Sequence, residues 1–222
     1  FDLPIDEARA KFEESIDVML KAWTSNEPFS HKGKYWTFNN IVVEPPSFRR
    51  PHPMVWMGAG TDRSIEDVAK RGFNLLLGQY ASPDQVAHNI AIYRKAVEAK
   101  GEKWDPMRVG LARAFFVTDD PQEVEQALER RLANRLRQLK LATMPDGRVL
   151  GGPDRADGDP VEININSAMY GTPDQIARKI EALRDAGAGY LLINGGGSGG
   201  GELGRSSLRR FAREVMPMFA KS

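Results

Sequence analysis

Short apolar runs alternate with amphipathic helical patterns over most of this chain, and this alternation restricts the possible folds more than any other feature. The apolar runs occupy residues 54–57, 73–77, 109–117 and 190–193. The helical patterns occupy residues 65–70, 86–99, 124–141, 176–186 and 208–219. Uniformly apolar runs are typical of strands that are covered on both faces, as in a parallel sheet. The order of elements therefore predicts parallel βα units in an α/β protein, either a barrel or a doubly wound sheet.

Several of the helices have a start signal in the sequence. Ser82-Pro83-Asp84-Gln85 and Thr172-Pro173-Asp174-Gln175 each place a hydroxyl at the N-cap and proline at the first helical position, and Asp120-Pro121 is a carboxylate version. The cap side chain accepts a hydrogen bond from a free backbone N–H, and proline has no N–H to leave without a partner. We expect helices to begin at these three places.

Three segments stand apart from the βα alternation. Residues 6–23 form an amphipathic pattern that predicts an opening helix. Residues 29–43 predict a hairpin that turns at Asn39-Asn40 and carries Tyr35, Trp36 and Phe38 in its first arm. Residues 143–170 are rich in Gly, Asp and Pro, and we interpret them as an insertion that could serve as a lid. On this interpretation residues 1–222 form a single domain.

The composition excludes several classes of function. The 222 residues include 31 basic and 30 acidic side chains, so we expect neither a nucleic-acid nor a membrane partner. There is no cysteine, which excludes disulfides and thiolate chemistry, and three histidines are too few for a histidine-rich cluster, so we expect no metal. The chain begins at Phe1 without a signal-peptide pattern. We expect a cytoplasmic protein that starts inside a longer sequence.

The residues after the first apolar run are the best candidate for a binding site. Gly58-Ala59-Gly60 are followed by Thr61 and Ser64, which stand where the next helix begins. Glycine lets a ligand approach the main chain, and a helix start offers free N–H groups and the positive end of the helix dipole. This arrangement suits a phosphate group. The alternative is that Thr61 or Ser64 only caps the helix.

A second glycine cluster occupies residues 195–201 and also matches the spacing of a dinucleotide-binding fingerprint at Gly195, Gly197 and Gly200. That fingerprint requires a helix that opens directly on the glycines. Here we expect the helix to start only near Ser206, so the cluster is better interpreted as a flexible loop at the mouth of a barrel. A nucleotide bound here by a doubly wound sheet is the remaining alternative.

Reactive side chains are not arranged in any catalytic pattern that the sequence reveals. We interpret the basic run on one helix as a solvated face; it consists of Arg130, Arg131, Arg135, Arg137 and Lys140. No grouping of serine, histidine and acid suggests a hydrolase, and the catalytic residues are therefore unknown. An enzyme without reactive groups of its own commonly takes them from a cofactor.

Five stretches, taken in order, resemble the bacterial luciferase-like monooxygenase family of flavin- or deazaflavin-dependent (β/α)8 TIM barrels. They are FEE at 12–14 with the helix to Trp23, PFS at 28–30 with GKYW at 33–36 and Phe38, PHP at 51–53 leading into VWMGAGT at 55–61, GTPDQIA at 171–177, and the closing 208–219 with VMP at 215–217. The resemblance covers essentially the whole chain. It implies that the chain supplies roughly the carboxy-terminal half of the barrel, with the family's catalytic groups largely before Phe1.

The resemblance also implies a function. We expect a monooxygenase that uses reduced FMN and O2 on a small organic substrate, with the FMN phosphate held by Gly60, Thr61 and Ser64 and with backbone clearance at Gly58 and Ala59. A separate flavin reductase and a homodimer are the implied partners. One alternative is a deazaflavin-dependent reductase or dehydrogenase, which transfers hydride and does not use oxygen. Another is a non-catalytic flavin-binding relative.

Overall fold

The computed structural model describes residues 5–147, 159–195 and 200–220. The chain divides into two compact units, residues 1–55 and 56–222. The first unit contains helix α1 (Ile5–Thr24) and a two-stranded antiparallel sheet of β1 (Phe29–Lys32) and β2 (Thr37–Ile41). The predicted opening helix and the predicted hairpin are both present.

The predicted position of the hairpin turn is wrong. The chain reverses at residues 33–36, where the Gly33 N–H donates to the Trp36 carbonyl at 2.9 Å, so Tyr35 and Trp36 lie in the turn and Phe38 lies in β2. Asn40 has a φ of 52°, but it lies within β2 at a shift of register between the strands. Its N–H donates to the Ser30 hydroxyl at 3.0 Å. The asparagine therefore stabilises a bulge, which the sequence pattern does not distinguish from a turn.

The second unit is built on a five-stranded parallel sheet. The strands are β3 (Trp56–Gly58), β4 (Asn74–Leu77), β5 (Val109–Val117), β6 (Met169–Gly171) and β7 (Tyr190–Asn194). They are ordered β3-β4-β5-β6, and β7 also pairs with β5. All these pairings are parallel, as the alternation of strands and helices predicts.

Helices connect successive strands of this sheet, and further helical segments follow its last strand. They are α2 (Asp62–Lys70), α3 (Pro83–Ala99), α4 (Pro121–Ala142), α5 (Pro160–Ser167), α6 (Pro173–Asp185) and α7 (Gly201–Arg210), which continues through a π-helical turn (Phe211–Val215) into α8 (Met216–Phe219). A short 3₁₀ helix (Pro106–Arg108) precedes β5. The three predicted N-caps, Ser82, Asp120 and Thr172, each accept a hydrogen bond from the first turn of their helix.

The two faces of the sheet differ in burial. Leu75, Leu77 and Leu111 point to one face and are at most 3% exposed. On the other face the side chains of Trp56, Leu76 and Leu192 converge over Gly110. Because side chains alternate between the faces of a strand, this pattern separates a fully covered face from a partly open one.

The segment 143–170 contains more regular structure than its composition predicts. Residues 148–158 of this predicted insertion lie outside the described part of the chain. The remainder contains α5 and most of β6, which pairs with residues 115–117 of β5. Strand β6 is therefore a fifth parallel strand that the sequence pattern did not reveal.

Candidate functional site

Loops from several strands meet at the carboxyl edge of the parallel sheet. Residues 59–61 follow β3, residues 78–81 follow β4, and Gly195 follows β7. In parallel α/β sheets and barrels, ligands bind at this edge because the loops that leave it converge there. The predicted phosphate site, Gly58 to Ser64, lies on this edge.

Thr61 and Ser64 form a reciprocal cap at the start of α2. The Thr61 N–H donates to Ser64 Oγ at 3.1 Å, and the Ser64 N–H donates to Thr61 Oγ1 at 3.3 Å. The two hydroxyls also lie 2.9 Å apart. The structure thus contains the capping arrangement that the sequence left as the alternative. The N–H groups of Asp62 and Arg63 occupy first-turn positions that have no acceptor within a helix, so they remain suited to a ligand.

The backbone before this cap is accessible. A Cβ atom built on Gly58 would meet no atom within 4 Å, and the φ of Gly58 lies outside the left-handed region. The glycine is therefore compatible with other side chains, and its effect is to leave the main chain open. The Ala59 N–H donates to the Leu76 carbonyl at 3.3 Å, which fixes the turn to β4. These contacts hold the turn in place and leave one side of it clear.

Two further observations concern the helix starts at this edge of the sheet. Asp62 Oδ1 lies 3.1 Å from His88 Nε2, and this exposed pair links the first turn of α2 to α3. The second glycine cluster differs from its prediction, since α7 begins at Gly201 and not near Ser206. Gly200 and Gly201 have φ angles of 85° and 65°, which glycine adopts without strain. Residues 196–199 of the predicted loop lie outside the described part of the chain.

A pocket of about 380 Å³ lies beside the carboxyl ends of the central strands. It is bordered by Gln79 and Tyr80 after β4, Tyr170 in β6, Asn194 in β7 and several residues of α4. Buried Arg113 fixes the loop after β4, since its guanidinium donates to the carbonyl oxygens of Gly78 at 3.0 Å and Ala81 at 2.6 Å. The volume is in the range of small-molecule sites.

Arg131 of α4 is the most unusual residue of this pocket. It is 5% exposed, and its guanidinium donates to Asn164 O at 2.8 Å, Asn164 Oδ1 at 2.7 Å, Ser167 Oγ at 3.1 Å and Gln79 O at 3.3 Å. Its Nε–H has no acceptor. Tyr80 presents its ring to this guanidinium at 4.5 Å and to that of Arg135 at 4.2 Å. Burial lowers the pKa of Arg131, although a guanidinium stays charged at any physiological pH.

The hydroxyl of Tyr170 is the second buried polar group without a partner in this pocket. The side chain is 5% exposed and packs edge-on against Phe116, with ring centroids 6.2 Å apart. Burial raises the pKa of the hydroxyl to about 12, with the charge of Arg131 opposing the shift. The group is therefore a neutral hydrogen-bond donor at physiological pH.

The interpretation of the basic run as a solvated face is wrong for two of its residues. Arg131 and Arg135 are 5% and 3% exposed and continue the buried stripe that begins at Ala127. Arg137 is exposed and borders the pocket. The spacing of 127, 131 and 135 is the only signal in the sequence that places these arginines on the inner face of α4. Nothing in the sequence singled out Tyr80, Asn164 or Tyr170.

In the described ranges, no group of three or more His, Asp or Glu side chains is arranged to hold a metal ion. None of the helices in those ranges has the length and apolar character needed to cross a membrane.

Comparisons with known proteins identify relatives of this chain. An FMNH2-dependent dimethylsulfone monooxygenase of Pseudomonas putida is 25% identical over 200 residues, which cover 84% of this chain and 53% of that protein. The crystal structure of monooxygenase RslO1 from Streptomyces bottropensis superimposes with a TM-score of 0.77 at 23% identity, covering 99% of this chain and 64% of that one. An F420-dependent secondary alcohol dehydrogenase superimposes with a TM-score of 0.67 at 16% identity, covering 96% and 64%.

These likenesses establish the fold as a part of a luciferase-like TIM barrel, of which the chain forms roughly half. The chain spans about half the length of the curated relative and under two thirds of the solved chains. The family model described as luciferase-like monooxygenase matches residues 1–189. The chain therefore belongs to the luciferase-like monooxygenase family.

Proposed function

We propose that this chain forms the cofactor-binding part of an oxidoreductase that oxygenates a small organic substrate with reduced FMN and O2. The observation that supports this proposal is the geometry of the turn after β3. Gly58 leaves the main chain open on one side, and Thr61 and Ser64 place two hydroxyls beside the first-turn N–H groups of α2. The positive end of the helix dipole favours an anion at the same point.

The residues of the turn fit a flavin phosphate. Gly58, Ala59 and Gly60 would allow its close approach. The Thr61 hydroxyl donates to Ser64 Oγ at 2.9 Å and the Ser64 hydroxyl donates to the Thr61 carbonyl at 2.8 Å, so each hydroxyl would exchange that bond for one to a phosphate oxygen. When bound, reduced flavin supplies the electrons that activate oxygen. The role of this chain is to hold the phosphate and to shape the adjoining pocket.

Two relatives bear on the choice of cofactor. The Pseudomonas putida relative is named as FMNH2-dependent, and the dehydrogenase with a similar fold is named as F420-dependent. F420 is a deazaflavin, so a deazaflavin-dependent reductase or dehydrogenase is the second candidate function, and a non-catalytic flavin-binding protein is the third. We extend the first proposal to a homodimer that receives its FMN from a separate flavin reductase.

Substitution of both hydroxyl residues tests the phosphate site. Thr61→Ala with Ser64→Ala removes two donors to a charged group, and such hydrogen bonds contribute about 1.5–3 kcal/mol each. We expect the affinity for FMN to fall at least tenfold in calorimetry, and the affinity for riboflavin, which lacks the phosphate, to stay within about twofold by the same reasoning.

The matched control is Thr172→Ala. Thr172 forms the same reciprocal cap at the start of α6, with Gln175 as its partner, so this variant loses the same kind of cap at another helix. It should bind FMN as tightly as the unchanged chain. Equal losses for FMN and riboflavin, or no loss for either, would show that Thr61 and Ser64 only cap α2.

The candidate cofactors are separated by binding and by oxygen uptake. We expect FMN to bind more tightly than F420, and the reduced FMN complex to place one atom of O2 in a substrate and release the other as water, which free reduced FMN does not do. Tighter binding of F420, with hydride transfer and no oxygen uptake, would favour the dehydrogenase. Binding of FMN without turnover of any substrate by the complete protein would favour the non-catalytic relative.

A further inference from the structure

We propose that the pocket beside α4 binds an anionic group of the substrate, such as a carboxylate or sulfonate, through the guanidinium of Arg131 and the hydroxyl of Tyr170. The residues of the pocket support an anion site by themselves, and the assignment of that anion to a substrate rests on the proposed function.

The first observation is the charge balance around Arg131. All four acceptors of its guanidinium are neutral oxygens, contributed by Asn164, Ser167 and Gln79. Within the described ranges no carboxylate lies at ion-pair distance from it. A buried cation is normally compensated by an anion, because removing the charge from water is unfavourable unless an opposite charge replaces the lost hydration. The ring of Tyr80 provides only part of that compensation.

The second observation is the pair of unused donors. Arg131 Nε–H and Tyr170 O–H are both buried, both lack an acceptor, and both residues border the same pocket. Buried polar atoms are nearly always hydrogen-bonded, so two donors without an acceptor, on residues that border one cavity, are the basis for proposing an acceptor that enters it. An oxyanion can accept both bonds, and it also supplies the charge that Arg131 lacks.

The surroundings of the pocket favour an anion as well. Among the described residues that border it there are two arginines, Arg131 and Arg137, and no acidic side chain. Lys179 borders a neighbouring cavity that Tyr170 also borders, and it lies close enough for the charge of Arg131 to add to the effect of burial in lowering the pKa of Lys179. Several positive charges in a partly dry site produce a potential that attracts a negative group.

The pocket is distinct from the proposed phosphate site. The turn at Gly58 to Ser64 follows β3, whereas the pocket lies beside the strands from β4 to β7. A cofactor and a substrate bound at these two places would meet along the carboxyl edge of the sheet. We therefore assign the second anion to the substrate and not to the cofactor.

Calorimetry with charged and neutral probes of the same shape tests the site. Benzoate and benzamide form one pair, and methanesulfonate and methanesulfonamide form another. We expect the full chain to bind at least one anion ten times more tightly than its neutral counterpart. If each anion binds no more tightly than its neutral counterpart, or if neither anion binds, the proposal is overturned.

Tyr170→Phe is the informative variant, because it removes only a hydroxyl that has no partner. A structural role for this hydroxyl predicts no change in anion affinity, whereas the proposed site predicts a loss of about tenfold for the anion and none for the neutral probe. The melting temperature should not fall. Arg131→Lys keeps the charge but loses Nε–H, and we expect it to weaken the anion too. Unchanged anion affinity in Tyr170→Phe would overturn the proposal.

The same variants distinguish a substrate anion from the cofactor phosphate. Tyr170→Phe should leave the ratio of FMN to riboflavin affinity unchanged, and Thr61→Ala with Ser64→Ala should leave anion affinity unchanged. If Tyr170→Phe weakens FMN but not riboflavin, the pocket holds the cofactor phosphate and the substrate assignment is wrong. A result against the phosphate site at Gly58 to Ser64 can thus be distinguished from a result against the anion site at Arg131 and Tyr170.

Discussion

Gly58 and Gly189, two glycines of the second unit, differ in the space available for a side chain. A Cβ on Gly58 would meet nothing within 4 Å, whereas a Cβ on Gly189 would lie 2.5 Å from the carbonyl carbon and oxygen of Pro106. The obstacle at Gly189 is backbone, which cannot move aside as a flexible side chain can. The small size of Gly189 is a packing requirement of the fold, whereas the missing side chain of Gly58 leaves open space beside the main chain.

We therefore expect Gly189→Ala to lower the free energy of unfolding by about 1–3 kcal/mol through overpacking. Gly58→Ala is the matched control and should change the free energy of unfolding by less than about 0.5 kcal/mol. Urea denaturation followed by circular dichroism measures both. A tolerated alanine at position 189, or a large loss at position 58, would contradict this account of the two glycines.

Arg131 shows where residue-level prediction from the sequence fails. The apolar stripe of α4 predicts an inner face, but arginine is so rarely buried that the sequence favours a solvated position for it. Its burial depends on acceptors 33, 36 and 52 positions away, in α5 and in the loop after β4. No local pattern contains that information. The proposed phosphate site at Gly58 to Ser64 is the opposite case, because all its residues lie within one short segment of the sequence.

At the scale of elements, Glu14 explains why the hairpin turns at residues 33–36. Its carboxylate accepts from the N–H of Tyr35 at 3.0 Å and of Trp36 at 2.9 Å, and it lies 3.0 Å from His31 Nε2. A residue of α1 thus fixes the turn of the following hairpin. The sequence favoured Asn39-Asn40 because asparagine tolerates positive φ, and a contact from another element overrode that local preference.

The pH dependence of the hairpin follows from the same carboxylate. Burial raises the pKa of Glu14, but the hydrogen bonds from His31, Tyr35 and Trp36 outweigh it and hold the pKa below the ordinary value of 4.5. A lowered carboxyl pKa stabilises the fold fully above the unfolded pKa, and the contribution is lost as the pH falls through the folded pKa. We expect the attachment of the hairpin to α1 to weaken below about pH 4.5.

The indole N–H of Trp36 reports on this attachment, since it donates to the Ser15 hydroxyl at 3.0 Å. Its NMR signal during urea titration should show lower stability for Glu14→Gln than for the unchanged chain at pH 7. The difference should shrink as the pH falls below 4.5, where the carboxyl group of the unchanged chain also becomes neutral. A difference that stays constant from pH 7 to pH 3 would show that Glu14 acts through its shape and not through its charge.

At the scale of the whole molecule, the alternation of apolar runs and capped helices was sufficient to predict parallel βα units. Four of the five parallel strands and most helices could be located in this way, because each depends on local periodicity and on a cap within the same segment. Strand β6 could not be located in this way, because three residues are too few to show a hydrophobic period. The strand is defined by its pairing with β5, which lies far away in the sequence. Motif order added the choice of barrel over doubly wound sheet, which periodicity alone leaves open.

The division into two compact units gives the predicted single domain a direct test. Residues 42–55 connect the units without a helix or strand, and Phe48 within them is 100% exposed. Limited trypsin digestion should cut first after Arg49, because the exposed backbone there can enter the protease and the bond after Arg50 is protected by Pro51. The fragment that begins at Arg50 contains the whole parallel sheet and both proposed binding sites.

We expect this fragment to keep its helical circular dichroism and its affinity for FMN. If the fragment unfolds as soon as the cut is made, residues 1–55 are needed for the core of the sheet unit, and the chain behaves as one domain.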